Sequence, residues 1–474
     1  MDDIKSESSN NKMNMSQLNA VNKVKYALPT NLNVVERRQN KVNFADQNNY
    51  TSTSGSEVVV RLQASTDYIY GKNSYLVMNV KSVKGGTGVD QPIGFKNNTA
   101  LSLFDRVLFE DRSGAELERN DSLNNYAAQV CPLHWSKEYT ETGVANAGQF
   151  ANAINVVDAD GIPTEGGGVL GDVFAKNGPA DNYSTNNTDG LTVIIPLRWF
   201  LGVFNNETLI PSMLTSGSQI RLRLASAGSA FENLAPEPDA NTDIVSYSIS
   251  NPRIVLDSLS LSPVVQKNLM EQSQAGGGLD YTYETVYYQG GNPGTSTNFN
   301  LQINKAVSRC QKIYWSARNQ NVPENIRVDN LGTSLCNISQ LDYRLGDMFF
   351  PQRVIDIVGP NPPINGAELY ENTLQSIHRM KTNVDPPSVS KQNFLTTGVN
   401  ADTNNIGKCV NCQSFEMSSA LEYSGLAINN SRTLEARINF ETSRIPASPG
   451  QVIDAWICYL KLAKCNQLRA IIKE

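Results

Sequence analysis

The feature that most constrains the fold of this chain is a period-two alternation of apolar and polar residues, repeated in short segments along most of its length. Residues 220–224 show it most clearly, because Ile220, Leu222 and Leu224 are separated by arginines. Successive side chains of a β-strand point to opposite faces, so this alternation predicts strands with one buried face. Similar segments are residues 58–62, 74–80, 104–110, 192–195, 247–261, 281–288, 299–303, 312–315, 434–440 and 452–462. The chain is therefore predicted to be all-β.

Helical patterns are few and short. The best candidates are residues 121–130, 264–274 and 367–380, and the second of these runs into Gly276–Gly278. A helix that ends in glycines is typical of a linker, so we place a domain boundary there.

The length of 474 residues suits two all-β domains of ~200 residues each. The predicted organisation is a flexible N-terminal arm over residues 1–32, a first barrel over 33–263, a linker over 264–279 and a second barrel over 280–474. The two halves share a pattern of strands but no sequence repeat.

Long insertions rich in Gly, Asn and Asp separate some of the predicted strands. They cover residues 82–100, 138–190, 318–335 and 383–408. Loops of this length are usually functional or disordered, so the pattern favours barrels or jelly rolls whose loops make the contacts with partners.

The charge balance argues against direct nucleic-acid binding. The chain has 40 Lys and Arg against 46 Asp and Glu, a net charge of −6, whereas a protein that wraps phosphates needs a concentrated basic face. Residues 1–45 are instead positively charged, with seven Lys and Arg against four Asp and Glu. We interpret them as a solvated or docking tail. No sequence-specific contact with nucleic acid is expected.

Targeting signals are also missing from the sequence pattern. No stretch approaches the ~20 apolar residues of a transmembrane helix, and residues 1–32 lack the apolar core of a secretory signal. The seven cysteines are an odd number scattered along the chain, which does not suggest a disulfide framework. The chain is expected to mature in a reducing compartment.

Candidate catalytic residues are scarce. The two histidines, His134 and His378, fall in different predicted domains without metal-ligand spacing, and no GxSxG nucleophile pattern is present. Cys131 beside His134 could form a dyad, but packing roles for both are the favoured interpretation. A pair of carboxylates that meet in space stays open, since sequence alone cannot test it.

The sharpest apparent motif is Cys409-Val410-Asn411-Cys412. Together with Cys458 and Cys465 it could supply four thiolates to a zinc ion, yet structural zinc sites use two tight pairs and the second pair here is loosely spaced. We therefore interpret these cysteines as loop or core thiols. The sequence predicts no catalytic, cofactor-binding or metal-binding residues, and no enzyme activity.

Three stretches carry a family resemblance. They are residues 103–118 leading into 124–126, residues 345–352 followed by 363–364 and 368–370, and residues 424–435. In order and spacing they resemble the major capsid proteins of double jelly-roll DNA viruses, of the polinton-like virus and virophage type. The match runs across roughly residues 40–465.

The resemblance implies a structural protein made of two consecutive eight-stranded jelly-roll barrels, with a few short helices and long loops. It further implies a homotrimer that forms a pseudo-hexameric capsomer and tiles an icosahedral capsid around a double-stranded DNA genome. Expected partners are other copies of the chain, penton proteins and minor or cement proteins. The expected location is the virion, after synthesis in a host cell without a secretory signal.

Three residues within the resemblance are candidates for contacts between subunits. Pro351 and Gln352 are predicted at a turn that either faces a neighbour or lies inside the barrel. Arg432 is predicted to form either an ion pair across an interface or a local salt bridge.

Two other classes of protein fit parts of the pattern. A carbohydrate-binding or adhesive β-sandwich surface protein is the main alternative, and aromatic residues exposed on one barrel face would favour it. A jelly-roll hydrolase or cupin-like enzyme needs a histidine-rich metal set, which two histidines do not supply.

Overall fold

The computed structural model accounts for most of the two predicted barrels. It describes residues 34–43, 49–52, 56–63, 65–84, 93–95, 99–136, 139, 152–153, 169–170, 191–233, 244–275, 278–294, 296–319, 338–356, 366–377, 387–391, 394, 409–415, 425–429, 432–440, 451–465 and 470–473. The predicted arm over 1–32 lies outside this set, as do His378 and most of the predicted loops over 138–190, 318–335 and 383–408.

Fourteen of the described strands belong to the first half of the chain. They are β1 Val34–Asn43, β2 Asn49–Thr51, β3 Glu57–Arg61, β4 Tyr68–Ile69, β5 Tyr75–Lys84, β6 Ile93–Phe95, β7 Phe104–Glu110, β8 Glu116–Asp121, β9 Asn152–Ala153, β10 Val169–Leu170, β11 Leu191–Pro196, β12 Gln219–Leu224, β13 Phe231–Asn233 and β14 Ile244–Leu261.

The second half contributes ten described strands. They are β15 Leu279–Gly294, β16 Asn298–Ile303, β17 Val307–Asn319, β18 Ile338–Leu345, β19 Met348–Asp356, β20 Asn411–Ser414, β21 Leu426–Ile428, β22 Leu434–Phe440, β23 Gln451–Cys465 and β24 Ala470–Lys473. The all-β prediction is confirmed.

Six short α-helices accompany the strands in the part of the chain that the structure describes. They are α1 Leu123–Gln129, α2 Cys131–His134, α3 Ser212–Thr215, α4 Ala227–Ala230, α5 Pro263–Ala275 and α6 Gly366–Ser376. Three of them lie where the sequence predicted helices, and α5 connects the last long strand of the first half to the first strand of the second. None of the described helices combines the length and the apolar character that crossing a bilayer requires.

Each half of the chain forms two main antiparallel sheets with the same strand order, and the first half adds the two-stranded sheets β9-β10 and β6-β13. In the first half the sheets run β1-β14-β5-β11 and β3-β12-β7-β8, and the short strands β2 and β4 also pair with β14. In the second half they run β15-β23-β17-β20 and β16-β22-β18-β19, with β21 on β17 and β24 on β23. Two facing antiparallel sheets of this kind make a jelly roll. The chain is therefore a double jelly roll.

Strand β12 shows why the alternating sequence gives this architecture. Ile220, Leu222 and Leu224 are buried, whereas the intervening polar side chains are half-exposed on the other face. The register with β3 and β7 places Val60 and Phe109 opposite Ile220, so apolar side chains from three strands share one face. Burying each such side chain contributes roughly 1.5–3 kcal/mol.

The apolar faces form two buried clusters. The largest buried side chains of the first are aromatic: Phe95, Phe104, Phe109, Phe204, Phe231 and Tyr247. Those of the second are Tyr314, Trp315, Tyr343, Phe394 and Trp456. Each cluster also includes a few residues from the other half of the chain, and these residues define the contact between the barrels.

Candidate functional site

The feature with the clearest functional meaning is the contact between the two jelly rolls, which we call the seam. On the first-half side it consists of β8, a 3-10 helix over Gly202–Asn205, and helices α1 and α2. On the second-half side it consists of β15, β23 and β17. Buried polar groups and shared apolar residues both contribute to it.

A buried carboxylate lies at the centre of the seam. Glu118 of β8 is 2% exposed, and its Oε1 atom accepts hydrogen bonds from the Gly202 amide at 2.8 Å and the Thr285 hydroxyl at 3.1 Å. Its Oε2 atom accepts from the Val203 amide at 3.1 Å. The donors come from both halves, so a single side chain links the two barrels. A buried carboxylate needs such partners, because leaving it unpaired costs several kcal/mol.

The environment of Glu118 also sets its protonation. Burial raises the pKa of Glu118 to about 7, whereas the hydrogen bonds from Val203, Gly202 and Thr285 and the positive charge of Lys461 act in the opposite direction. Lys461 lies on β23 and is itself only 3% exposed. The seam therefore contains an acidic group that titrates near neutral pH.

Two tyrosines of β15 extend the seam on either side of Glu118. The Tyr281 hydroxyl donates to the Val203 carbonyl at 2.7 Å, and the Tyr283 hydroxyl donates to the Leu117 carbonyl at 2.6 Å. Both rings are buried in the first apolar cluster, although both residues belong to the second half. The tyrosines thus fix β15 against strand β8 and the adjacent 3-10 helix.

Backbone atoms approach closely at the same place. A Cβ atom added to Gly202 would lie 1.6 Å from the carbonyl oxygen of Glu284, so only glycine allows this contact. The Asn206 side-chain amide donates to the Thr282 carbonyl at 2.6 Å. These contacts cover the outer edge of β15, which would otherwise expose unpaired backbone groups.

The helices after β8 form the other part of the seam. Tyr126 packs edge-on against Trp456 with ring centroids 6.0 Å apart, and His134 Nε2 lies 2.8 Å from the Tyr314 hydroxyl. Val130 and Leu133 are members of the second apolar cluster. In the reverse direction, β15 and the end of β23 supply Tyr281, Tyr283, Ala463 and Cys465 to the first cluster. The barrels are joined through shared cores as well as through the chain.

The structure gives Cys131 and His134 packing positions. Cys131 is buried, and burial raises its pKa to about 12, so the thiol stays protonated near neutral pH. His134 contacts Tyr314 across the seam in an edge-to-face arrangement. His378 lies outside the described residues.

The four cysteines of the possible zinc site do not come together. Cys409, Cys412 and Cys458 are buried in the second apolar cluster, whereas Cys465 is buried in the first. Cys458 and Cys465 are seven positions apart on strand β23, a separation of about 23 Å at ~3.3 Å per residue. Within the described part of the chain, no group of three or more His, Cys, Asp or Glu could hold a metal ion.

The prediction of a turn at Pro351 and Gln352 is wrong. Both residues belong to β19, the edge strand of its sheet, and the turn lies earlier, at Gly346, whose φ is 59°. Proline is tolerated on an edge strand, because no neighbouring strand needs its missing N–H for a ladder hydrogen bond.

Arg432 lies in a short local bridge beside that turn. Its backbone amide donates to Asn429 Oδ1 at 2.9 Å. Its side chain lies over Gly346, where an added Cβ atom would be 3.3 Å from Arg432 Cγ. The aliphatic part of the side chain therefore packs on the turn between β18 and β19.

Sequence reasoning missed the residues that form the seam. Glu118 was visible as an acidic residue in an otherwise strand-like segment, and Lys461 as a lysine within the apolar run 452–462. A charged residue in a buried strand often has a distant partner, which is the one signal that could have marked them. The identity of that partner depends on the tertiary fold.

The fold can be compared with known proteins. No family model and no curated protein matches the sequence. Among solved structures, the Faustovirus major capsid protein is 9% identical with a TM-score of 0.57, covering 94% of this chain and 94% of that chain. A chain of the Sputnik virophage is 9% identical with a TM-score of 0.55, covering 100% and 93%. A chain of the PBCV-1 virus capsid is 12% identical with a TM-score of 0.53, covering 95% and 99%.

These likenesses define the class of fold. The chain is similar over nearly its whole length to double jelly-roll proteins, and at this identity the likeness shows the fold. The double jelly-roll fold with few short helices, expected from the sequence resemblance, is confirmed, and the number of eight strands per barrel stays a prediction. The three solved structures named above are a viral major capsid protein and chains of viral particles.

Proposed function

We propose that the chain is a major capsid protein, a structural protein of a virus shell. The observation that carries the proposal is a fold of two jelly rolls with the same strand order, joined by a buried seam and similar over nearly the full length to viral capsid proteins. A seam that includes shared cores holds two barrels as one building block, which a shell needs.

The proposed assembly unit contains three copies of this building block. Two barrels per chain and three chains give six barrels, which form a pseudo-hexameric capsomer able to tile an icosahedral capsid. The modest net charge of −6 supports dense packing, since repulsion between neighbouring copies is small. The enclosed genome is proposed to be double-stranded DNA, held by the shell as a container without sequence-specific contacts.

The proposed domain organisation follows the sequence. Residues 33–263 form the first barrel, 264–279 the linker and 280–474 the second barrel, with residues 1–32 as an N-terminal arm. Penton and minor or cement proteins are proposed partners in the virion. The role requires no catalysis, and the buried seam offers no reacting group to a substrate.

The mass of the purified protein in solution tests the proposal. Size-exclusion chromatography with light scattering is expected to give a trimer of about 156 kDa, three times the chain mass of 52.0 kDa. Negative-stain electron microscopy of the same fraction is expected to show hexagonal particles. A folded chain that stays monomeric at every protein and salt concentration contradicts the proposal.

A further inference from the structure

Several buried polar groups of the seam have no hydrogen-bond partner among the described residues. Asn120 of β8 is 1% exposed, and neither its Nδ2 atom nor its Oδ1 atom is hydrogen-bonded. The same holds for the Nε2 atom of Gln129 on α1 and the Nε1 atom of Trp456 on β23. Buried polar groups of proteins are nearly always bonded, either to protein or to ordered water. The seam therefore contains donors and an acceptor that need a partner.

The position of Asn120 follows from the way β8 runs along β15. On one side of it, Glu118 Oε1 accepts a hydrogen bond from the Thr285 hydroxyl. On the other side, the Ser122 hydroxyl lies beside the Tyr288 hydroxyl. Residues 118 and 120 share one face of the strand, because side chains of a strand alternate. Asn120 therefore lies between two contacts that cross the seam.

The second barrel continues this polar lining. The Tyr288 hydroxyl donates to Asp454 Oδ1 at 2.8 Å, and the Tyr288 ring lies 5.7 Å from the Trp456 ring, measured between centroids. The other neighbour of Trp456 is Tyr126 of α1, in the first barrel. The unbonded N–H of Trp456 and the unbonded amide of Asn120 are thus linked through Ser122 and Tyr288.

Helix α1 adds a further contact of the same kind. The Ser316 hydroxyl of β17 donates to Gln129 Oε1 across the seam, which leaves Gln129 Nε2 without a partner. Both residues are buried, with Gln129 4% and Ser316 1% exposed. Direct hydrogen bonds between the barrels therefore use only part of the bonding capacity of the buried amides.

The chemistry of these groups limits what can bind to them. Asn120 offers both donors and an acceptor, whereas Gln129 Nε2 and Trp456 Nε1 only donate. A cation is disfavoured by the N–H donors, and an anion is disfavoured by the Glu118 carboxyl group on the same strand face. The partner must be neutral, able to donate and accept, and small enough for a site that is almost fully buried. Internal water has these properties and typically makes about three hydrogen bonds to otherwise unsatisfied groups.

We propose that the seam is a binding site for internal water, with Asn120 as its central residue. The water bridges β8 and α1 of the first barrel to the second barrel, beside the direct contacts of Glu118 and Tyr288. Such bridges are nearly as favourable as direct hydrogen bonds. The contact between the two barrels is then partly mediated by water. This inference does not depend on the proposed capsid function.

Hydroxyl-radical footprinting of the full-length protein tests the proposal. X-ray radiolysis produces radicals from water, including water held inside a protein, so a buried aromatic residue beside bound water is oxidised. Trp456 is 0% exposed, and its matched control is Trp315, which is 2% exposed and whose Nε1 atom donates to the Tyr343 hydroxyl. We expect tandem mass spectrometry to show faster oxidation of Trp456 than of Trp315.

Two substitutions of equal size assign the water to Asn120. Asn120→Val removes every polar atom of the side chain, whereas Asn120→Thr has the same shape as valine and keeps a hydroxyl group that can bind water. Oxidation of Trp456 should be lost or strongly reduced in Asn120→Val and retained in Asn120→Thr. Circular dichroism should be unchanged in both variants. Equal oxidation of Trp456 in the two variants would contradict the central role of Asn120.

The unmodified protein decides the proposal even if neither variant folds. Oxidation of Trp456 that is no faster than that of Trp315 would overturn the water site. A structure at a resolution that shows ordered water gives a second test, and density bonded to Asn120 Nδ2 and Oδ1 is the expected result. Direct protein partners on both atoms would overturn the proposal. Either result leaves the mass of the assembled protein, and so the test of the capsid function, unaffected.

Discussion

The four-stranded sheets of the two barrels share one topology but differ in what surrounds them. In the first sheet, the edge strand β8 is buried in the seam, and the outward face carries an ion-pair network in which Arg221 lies 3.1 Å from Glu110 and Arg223 lies 2.7 Å from Asp105. In the second sheet, the edge strand β19 is exposed, and the outward face has a single longer pair, Arg437 to Asp342 at 3.5 Å, among its described residues.

The difference shows that topology does not fix the role of a surface. The same strand position is buried in one barrel and exposed in the other, because only one of them meets β15 within the chain. Stability is therefore expected to depend more on the first sheet and its seam than on the exposed edge of the second sheet. The predictions below test this division from the largest effect to the smallest.

The largest effect is expected from Gly202→Ala. The new Cβ atom would lie 1.6 Å from the Glu284 carbonyl oxygen, so backbone on one side of the seam must move. The free energy of unfolding should fall by about 3 kcal/mol or more, at the upper end for overpacked sites. Denaturant unfolding followed by circular dichroism measures it.

Gly114→Ala is the control for that substitution. A Cβ atom there would meet nothing within 4 Å, and its only cost is the positive φ of 84°. The loss should be about 1–2 kcal/mol, the cost of a left-handed conformation for a residue with a side chain. Equal losses for the two variants would show that the seam is not a close contact.

The second prediction compares one residue of each edge strand, Leu117 of β8 and Phe349 of β19. Leu117→Ala removes a fully buried side chain beside the seam and should lower the free energy of unfolding by about 2–5 kcal/mol. Phe349→Ala should change it by less than about 1 kcal/mol when measured at a concentration where the protein is monomeric, because Phe349 is 44% exposed. A larger loss for Phe349→Ala would contradict the difference between the buried and the exposed edge.

The third prediction concerns pH. The pKa of Glu118 is about 7 in the folded chain and near 4.3 in an unfolded one, so between these values the folded state holds a proton that the unfolded state has released. Stability should therefore fall by up to about 3 kcal/mol as the pH rises from 4.5 to 7, and this contribution should be constant above pH 7.

Substitution identifies the group responsible for that pH dependence. Glu118→Gln should flatten the dependence over this window, whereas Glu116→Gln, at an exposed position of the same strand, should leave it unchanged. Unfolding free energies at half-unit pH intervals give the profile. An unchanged slope in Glu118→Gln would assign the effect to another group.

The smallest effect is expected on the outward faces. Arg221→Gln breaks pairs with Glu57 and Glu110 and should cost about 1 kcal/mol at low salt, whereas Arg437→Gln should cost less than about 0.5 kcal/mol. The difference between these two losses of stability should become smaller in 1 M salt, because exposed pairs are screened. Thermal melts of both variants at two salt concentrations measure it. A difference that increases with salt would contradict the ion-pair explanation.

The sequence was informative where structure depends on neighbours along the chain. The alternation at residues 220–224 predicted β12, and the glycine-terminated pattern at 264–274 predicted α5. The seam was not predictable in this way, since the partners of Glu118 lie more than eighty positions away along the chain. Pro351 was misplaced because proline marks edge strands as well as turns, and only the sheet order distinguishes them.

The central claim is that the seam joins the two jelly rolls into one building block and that three such blocks form a capsomer. Electron cryo-microscopy of the assembled protein tests it most directly, at a resolution that separates strands. The account predicts three chains forming a ring of six barrels, with the contact between β8 and β15 intact in each chain. Barrels that separate at the seam would contradict the building block, and an isolated two-barrel chain would contradict the capsid function.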